Sequence, residues 1–243
     1  MNILSARLEK LFLYATIKIV EIKLLFIYYK HLIIGGTLLE KIYIVLIVIA
    51  VIILISVVFS AFKKINKNRI GRNIGRAGER KVAKIIRKFS RHRRCKVLNG
   101  AYLPLYNGSC EIDHIVFGKF GVAIIETKNT GGHIKGSGKY LDHYIGSKKF
   151  KLYNPKMQNK THTDNLRHHL LKHGFKKFQL HPIIVFANEK TIIPDGLGIH
   201  ASELYNTLEH LPKGSFDYIG AYKAIKSVRI KSPIKKLLHK YRR

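Results

Sequence analysis

Between Ile42 and Phe62 the chain reads IYIVLIVIAVIILISVVFSAF, twenty-one residues without one charged side chain. A helix of about twenty apolar residues crosses the roughly 30 Å of hydrocarbon in a bilayer. Helices buried in soluble proteins rarely lack a polar stripe over such a length, and this run has none. It starts some forty residues into the chain and is not followed by a small-residue cleavage pattern, unlike a secretory leader. The expectation is a transmembrane helix over 42–62, anchored in membrane lipid.

The flanks of the run orient it. Lys63, Lys64, Lys67, Arg69, Arg72 and Arg76 follow it, against Lys30 and Lys41 just before. Positive flanks stay on the cytoplasmic side, which places the long C-terminal part in the cytoplasm. Residues 11–34 are apolar but carry Lys18, Glu21 and Lys23 at mid-segment. Charges at that depth are costly. Lying in the interface and spanning against a second helix are both open, so the protein is single-pass or a hairpin.

The remaining sequence is basic and divides into segments. Lys and Arg number 45 against 14 Asp and Glu, for a formal charge of +31 in 243 residues. Such an excess points to a polyanionic partner, nucleic acid or anionic lipid. Cys95 and Cys110 are too few for a disulfide scaffold and suit a reducing compartment. The organisation reads as an apolar segment over 1–41, the span over 42–62, a basic linker over 63–73, a globular domain over 74–190 and a basic extension over 191–243 that partly completes the domain. Within the domain, Val82, Ile85, Ile86 and Phe89 mark an amphipathic helix. Strands are expected near 96–103, 112–117, 122–127 and 181–187, with a tight turn at Gly118 and Gly121. Asn154 and Pro155 open a helix running to about His173. Strand, strand, strand, helix, strand is an α/β fold with a mixed sheet flanked by helices.

Acids are scarce, yet Glu111, Asp113 and Glu126 all fall between residues 111 and 128, beside Lys128. A symmetric turn at 118–121 sets Asp113 opposite Glu126 and Glu111 opposite Lys128, with all four on one face. Opposed like charges destabilise a hairpin unless a cation compensates them. A hard divalent ion, Mg²⁺ or Mn²⁺, takes such carboxylates together with water and substrate phosphate. The bland alternative is a charged surface hairpin, which these apolar strands suit poorly; on the residues alone both readings stand.

The motifs AGER, EIDHIVFGKFGVAIIETKN, GGHIKG, NPKMQ and PIIVFAN occur in the order seen in the nuclease-related domain, NERD. Residues 74 to 190 thus resemble that family, which is similar to the P-D-(D/E)-x-K restriction-endonuclease-like superfamily. The resemblance implies that Asp113 and Glu126 hold the metal, with the main-chain carbonyl of Thr127 as a third ligand. It implies Lys128 as the catalytic lysine, Glu79 as a helix carboxylate in the metal's water shell or on a second ion, and Gln158 as a support. The tryptophan common after the third strand is absent; Tyr140 or Tyr144 stands nearest to that place.

Other residues carry less. His169 and His173 are at helical spacing, but no acid lies between them and no cysteine pair supports a zinc site, so they read as a solvated basic face. His114 alternates to the face opposite Asp113. His133 and Lys135 either reach a phosphate or lie in a solvated loop. Tyr140 and Tyr144 either stack on bases or pack. The expected function is a membrane-anchored, Mg²⁺- or Mn²⁺-dependent nuclease acting on DNA at the cytoplasmic face. The alternatives are a tethered, non-catalytic nucleic-acid-binding module and a structural membrane protein docked on anionic lipid.

Overall fold

The computed structural model describes residues 18–19, 21–23, 37–105 and 108–232. Most of the segment 11–34, and the basic tail from 233, lie outside the described residues. The chain divides into two compact units, Met1–Asn68 and Arg69–Arg243. The N-terminal segment is described only at 18–19 and 21–23, which are helical, with Lys18 paired to Glu21.

Helix α1 runs unbroken over Leu38–His92. Residues 63–73, read as a basic linker, and the AGER motif both lie within this helix. No proline interrupts the stretch, Lys and Arg are good helix formers, and Gly71 and Gly75 meet nothing within 4 Å. Leu46 through Phe59 expose their large apolar side chains, at 42% for Val48 and 70% for Phe59. Among the described residues, no helix is long and apolar enough to cross a membrane.

The second unit is built on a five-stranded mixed sheet. Its strands are β1 (Lys96–Leu105), β2 (Gly108–Gly118), β3 (Gly121–Lys128), β7 (Leu180–Phe186) and β8 (Ile199–His200). They lie in the order β1-β2-β3-β7-β8. The first three are antiparallel, and β7 joins β3 in parallel after the crossover helix α2 (Pro155–Lys172). Asn154 caps α2 by accepting from the Lys156 N–H, as expected of an Asn-Pro start. A second sheet, β4 (His133–Lys135), β5 (Tyr140–Ile145) and β6 (Lys148–Tyr153), was not foreseen. Neither were α3 (Ala201–Glu209) and α4 (Tyr218–Val228), which occupy the C-terminal part.

Each face of the large sheet carries its own core. Ile115, Phe117, Val122 and Ile124 pack with Leu166 and Leu170 of α2 and with Ala221 and Ile225 of α4. On the other face Val116, Ala123 and Ile125 pack with Val82, Ile86 and Phe89 of α1 and with Leu204 and Leu208 of α3. Burial on both faces explains why β3 is apolar without alternation. Cys95 and Cys110 are free thiols.

Gly78 sets how closely α1 approaches the sheet. A Cβ there would lie 2.4 Å from the Asn129 Cβ. Only a glycine lets the helix pass the exit of β3, where the Asn129 amide donates to the Ile74 carbonyl at 2.7 Å.

Candidate active site

The register of the β2–β3 hairpin is the expected one: Gly118 pairs with Gly121, Val116 with Ala123 and His114 with Ile125. Pairing ends there. Asp113 is not laddered to Glu126, and Glu111 pairs with Tyr102 of β1 rather than facing Lys128. The alternation of β2 also breaks, since Ile112 and Ile115 enter the same core. The break coincides with Gly100, which faces this point on β1 and has a φ of +54°. The four residues therefore do not form one continuous charged face.

Freed from the ladder, Asp113 turns its carboxylate to β3, where Oδ2 accepts from the Thr127 N–H at 2.8 Å. In an antiparallel ladder a residue's N–H and C=O point to the same neighbour, so the Thr127 carbonyl opens to this side too. Glu126, only 2% exposed, projects to the α2 face. Its Oε1 accepts from Lys128 Nζ at 2.6 Å, and its Oε2 lies 3.2 Å from His162 Nε2. Lys128 Nζ also donates to Gln158 Oε1 at 2.8 Å.

Helix α2 forms the wall of the site. Gln158 and His162, one turn apart, face β3, and Asn159 anchors the helix by donating to the carbonyls of Ile124 and Ile183, each at 3.1 Å. Its buried residues include Asn159, His162, Thr163 and Asn165, a polar set for a helix against a sheet. Of these, Thr163 donates back to the Asn159 carbonyl and Asn165 to Cys110 Sγ, so His162 is the one turned to Glu126.

The electrostatics separate the two acids. Burial, the Glu126 charge and, more weakly, the Glu79 charge push the Asp113 carboxyl up to about 7, against the Thr127 N–H and Lys128, which favour its anion. Burial also works to raise Glu126, but hydrogen bonds from His162 and Lys128 prevail and hold it below the usual range. Glu79 is solvent-exposed on α1, near enough to Asp113 to act on its charge. His114 is buried, with Nδ1 2.8 Å from Asn99 Oδ1, and burial lowers its pKa to about 4.

Residues 74–187 match the family model described as the nuclease-related domain. The chain carries a nuclease-related domain. The restriction-endonuclease-like superfamily is consistent with this NERD domain, as is the mixed sheet flanked by helices. A protein of Bacillus anthracis, described as uncharacterised, is 36% identical over 90 residues, which cover 36% of this chain and 42% of that protein. The chain thus spans less than half the length of that relative. No solved structure matches it.

Within the NERD domain the structure brings Asp113, Glu126, Lys128 and Gln158 together at the end of β3, with Glu79 at the margin. His162 was missed in the sequence; its signal was its spacing of four residues from Gln158 on one helix. His169 is buried rather than solvated, its Nε2 3.0 Å from the Pro104 carbonyl. Among the described residues no group of three or more His, Cys, Asp or Glu is placed to hold a metal ion. An ion here would rest on two carboxylates, with the Thr127 carbonyl, water or phosphate completing its shell. That is an arrangement Mg²⁺ accepts.

The raised Asp113 pKa has a consequence for stability. An acid whose folded pKa exceeds its unfolded one disfavours folding as it ionises, so the cost grows from near pH 4 to about 7. Asp113→Asn keeps an acceptor for Thr127 and removes the repulsion. Denaturant unfolding at pH 8 should show this variant more stable by on the order of 2 kcal/mol, with the gain shrinking towards pH 4. Lower stability at pH 8 would show that ionising the buried Asp113 beside Glu126 carries no folding cost.

Proposed function

We propose that the protein is a membrane-anchored, metal-dependent nuclease that hydrolyses phosphodiester bonds of DNA at the cytoplasmic face. The observation that carries this reading is the seating of Lys128 Nζ between Glu126 Oε1 and Gln158 Oε1, beside the half-buried Asp113. The nuclease-related domain suggests a nuclease-like function and interaction with nucleic acid.

The residues present fit a hard divalent cation. The donors are oxygens, and burial, together with the neighbouring Glu126 charge, pushes the Asp113 carboxyl up to about 7, a cost that a bound cation would relieve. Asp113 and Glu126, with the Thr127 carbonyl, are the residues that would hold Mg²⁺ or Mn²⁺. When bound, the ion would neutralise non-bridging phosphate oxygens and acidify water. Lys128, held by two acceptors, presents a fixed positive charge where negative charge grows on the phosphorus centre. Gln158 keeps that ammonium in place, His162 fixes the other oxygen of Glu126, and Glu79 adds a carboxylate at the margin.

Anchoring rests on the uncharged run 42–62 and on the apolar side chains exposed along α1, which water does not accommodate. The basic residues after the run support the cytoplasmic placement. One observation favours a second reading, a tethered nucleic-acid-binding module: Lys128 already neutralises Glu126 without an ion, and His162 lies 3.2 Å from its other oxygen.

Cleavage assays on the chain in detergent, with Mg²⁺, Mn²⁺ or EDTA, separate the two. Lys128→Met should retain DNA binding and lose at least about a hundredfold in cleavage, the scale for one charge-stabilising group. A wild-type protein that binds DNA but never cuts it with either ion would establish the binding module instead. For orientation, a cysteine introduced at Lys67 should resist labelling by an impermeant reagent from outside intact cells; labelling there would reverse the topology.

A further inference from the structure

The three-stranded sheet β4–β6 has two unlike faces. Ile134 and Leu141 point inward and are fully buried, packing with Ile184, Phe186 and Leu197. Strand alternation then turns the other residues outward. Cross-strand pairing sets Tyr140 beside Tyr153, Asp142 beside Lys151 and Lys135, and Tyr144 beside Lys149. The outer face thus presents three tyrosines among three lysines.

This face is not covered by any described element. Tyr140 is 54% exposed and Tyr153 38%, while Lys149 and Lys151 are 50% and 64% exposed. Its one acid, Asp142, is neutralised by Lys149 at 3.0 Å and Lys151 at 2.6 Å, which braces the middle of the face. Tyr140 and Tyr153 meet edge to face at 5.7 Å, and Lys149 sits 5.6 Å from the Tyr144 ring centroid.

The sheet is also tied to the site on both sides. β4 starts a short loop after Lys128, and β6 runs through Asn154 into the helix that carries Gln158 and His162. The His143 ring, from the inner face, lies 2.7 Å from the Gly131 carbonyl and 3.0 Å from Thr130 Oγ1, pinning β5 to the exit of β3. Asn154 Nδ2 donates to the Gly138 carbonyl at 2.8 Å, fixing the opposite end.

We propose that the outer face of β4–β6 is a stacking platform for single-stranded nucleic acid, with bases on Tyr140, Tyr144 and Tyr153 and phosphates on Lys135, Lys149 and Lys151. Aromatic rings stack on any unpaired base, whereas a duplex keeps its base faces covered. Flanking lysines track the backbone without reading sequence. The face therefore selects unpaired strands, and the sheet that carries it connects β3 to α2, the two elements that hold Lys128 and Gln158. This deepens the nuclease reading above, on which the role of the strand as substrate rests.

The test is binding of fluorescent oligothymidylate and of a duplex of equal length to the full chain in detergent, in EDTA. No cleavage is scored, so a site that never cuts and a face that never binds are told apart. Tyr144→Ala and Tyr153→Ala should each weaken single-strand binding by about tenfold, the scale of one lost stacking contact. Duplex affinity and the salt dependence of binding should stay unchanged, because no cation is removed. Phe at either position should restore binding. Equal losses for strand and duplex, no loss for either, or failure of Phe to restore binding would overturn the platform.

Discussion

A carboxylate buried at the end of an apolar strand is the constraint on which the rest of this domain depends. Glu126 is 2% exposed, and leaving its charge unpaired there would cost several kcal/mol. Two partners prevent that: Lys128, two residues along the same strand, and His162, from the helix that crosses back over the sheet. Each partner is itself placed by a third group. Gln158 holds Lys128, and Asn159 holds the helix to the backbone of β3 and β7. The site is therefore assembled by the parallel crossover that completes the sheet, not by the hairpin alone.

The second acid is placed differently. Asp113 lies beyond the last β2–β3 pair, opposite Gly100 with its positive φ, and it accepts from the backbone N–H of Thr127. One acid is thus stabilised as an anion while its neighbour is driven towards protonation. Paired carboxylates with divergent affinities for protons are characteristic of functional sites, where repulsion is kept because a ligand relieves it.

Asp113, Glu126 and Lys128 were legible from strand spacing beside a clear turn signal, whereas Glu79 and Gln158 came only through the resemblance of the AGER and NPKMQ motifs to the nuclease-related family. Gly118 and Gly121 bracket the turn, and the hairpin register follows from them. Where the register ends was not legible, because the end at Asp113 lies opposite a glycine in another strand. His162 was hidden among thirteen histidines, of which His114, His143 and His169 are buried as well. The continuity of α1 through residues 63–78 was obscured by three glycines and a dense run of cations, which read as a linker. Strands β4 to β6 are short and polar on one side, and β4 is only three residues long, too short for an alternation pattern to declare itself. Their position between β3 and α2 is a property of the fold.

The central claim is that Asp113 and Glu126 hold one divalent cation between them. Titration of the chain with Mn²⁺, followed by the loss of the free-ion signal in electron paramagnetic resonance, tests it most directly. The account predicts saturable Mn²⁺ binding that Mg²⁺ competes away, that Asp113→Asn and Glu126→Gln each abolish, and that Lys128→Met leaves in place. Binding that survives loss of either carboxylate, or no Mn²⁺ binding by the wild-type chain, would contradict it.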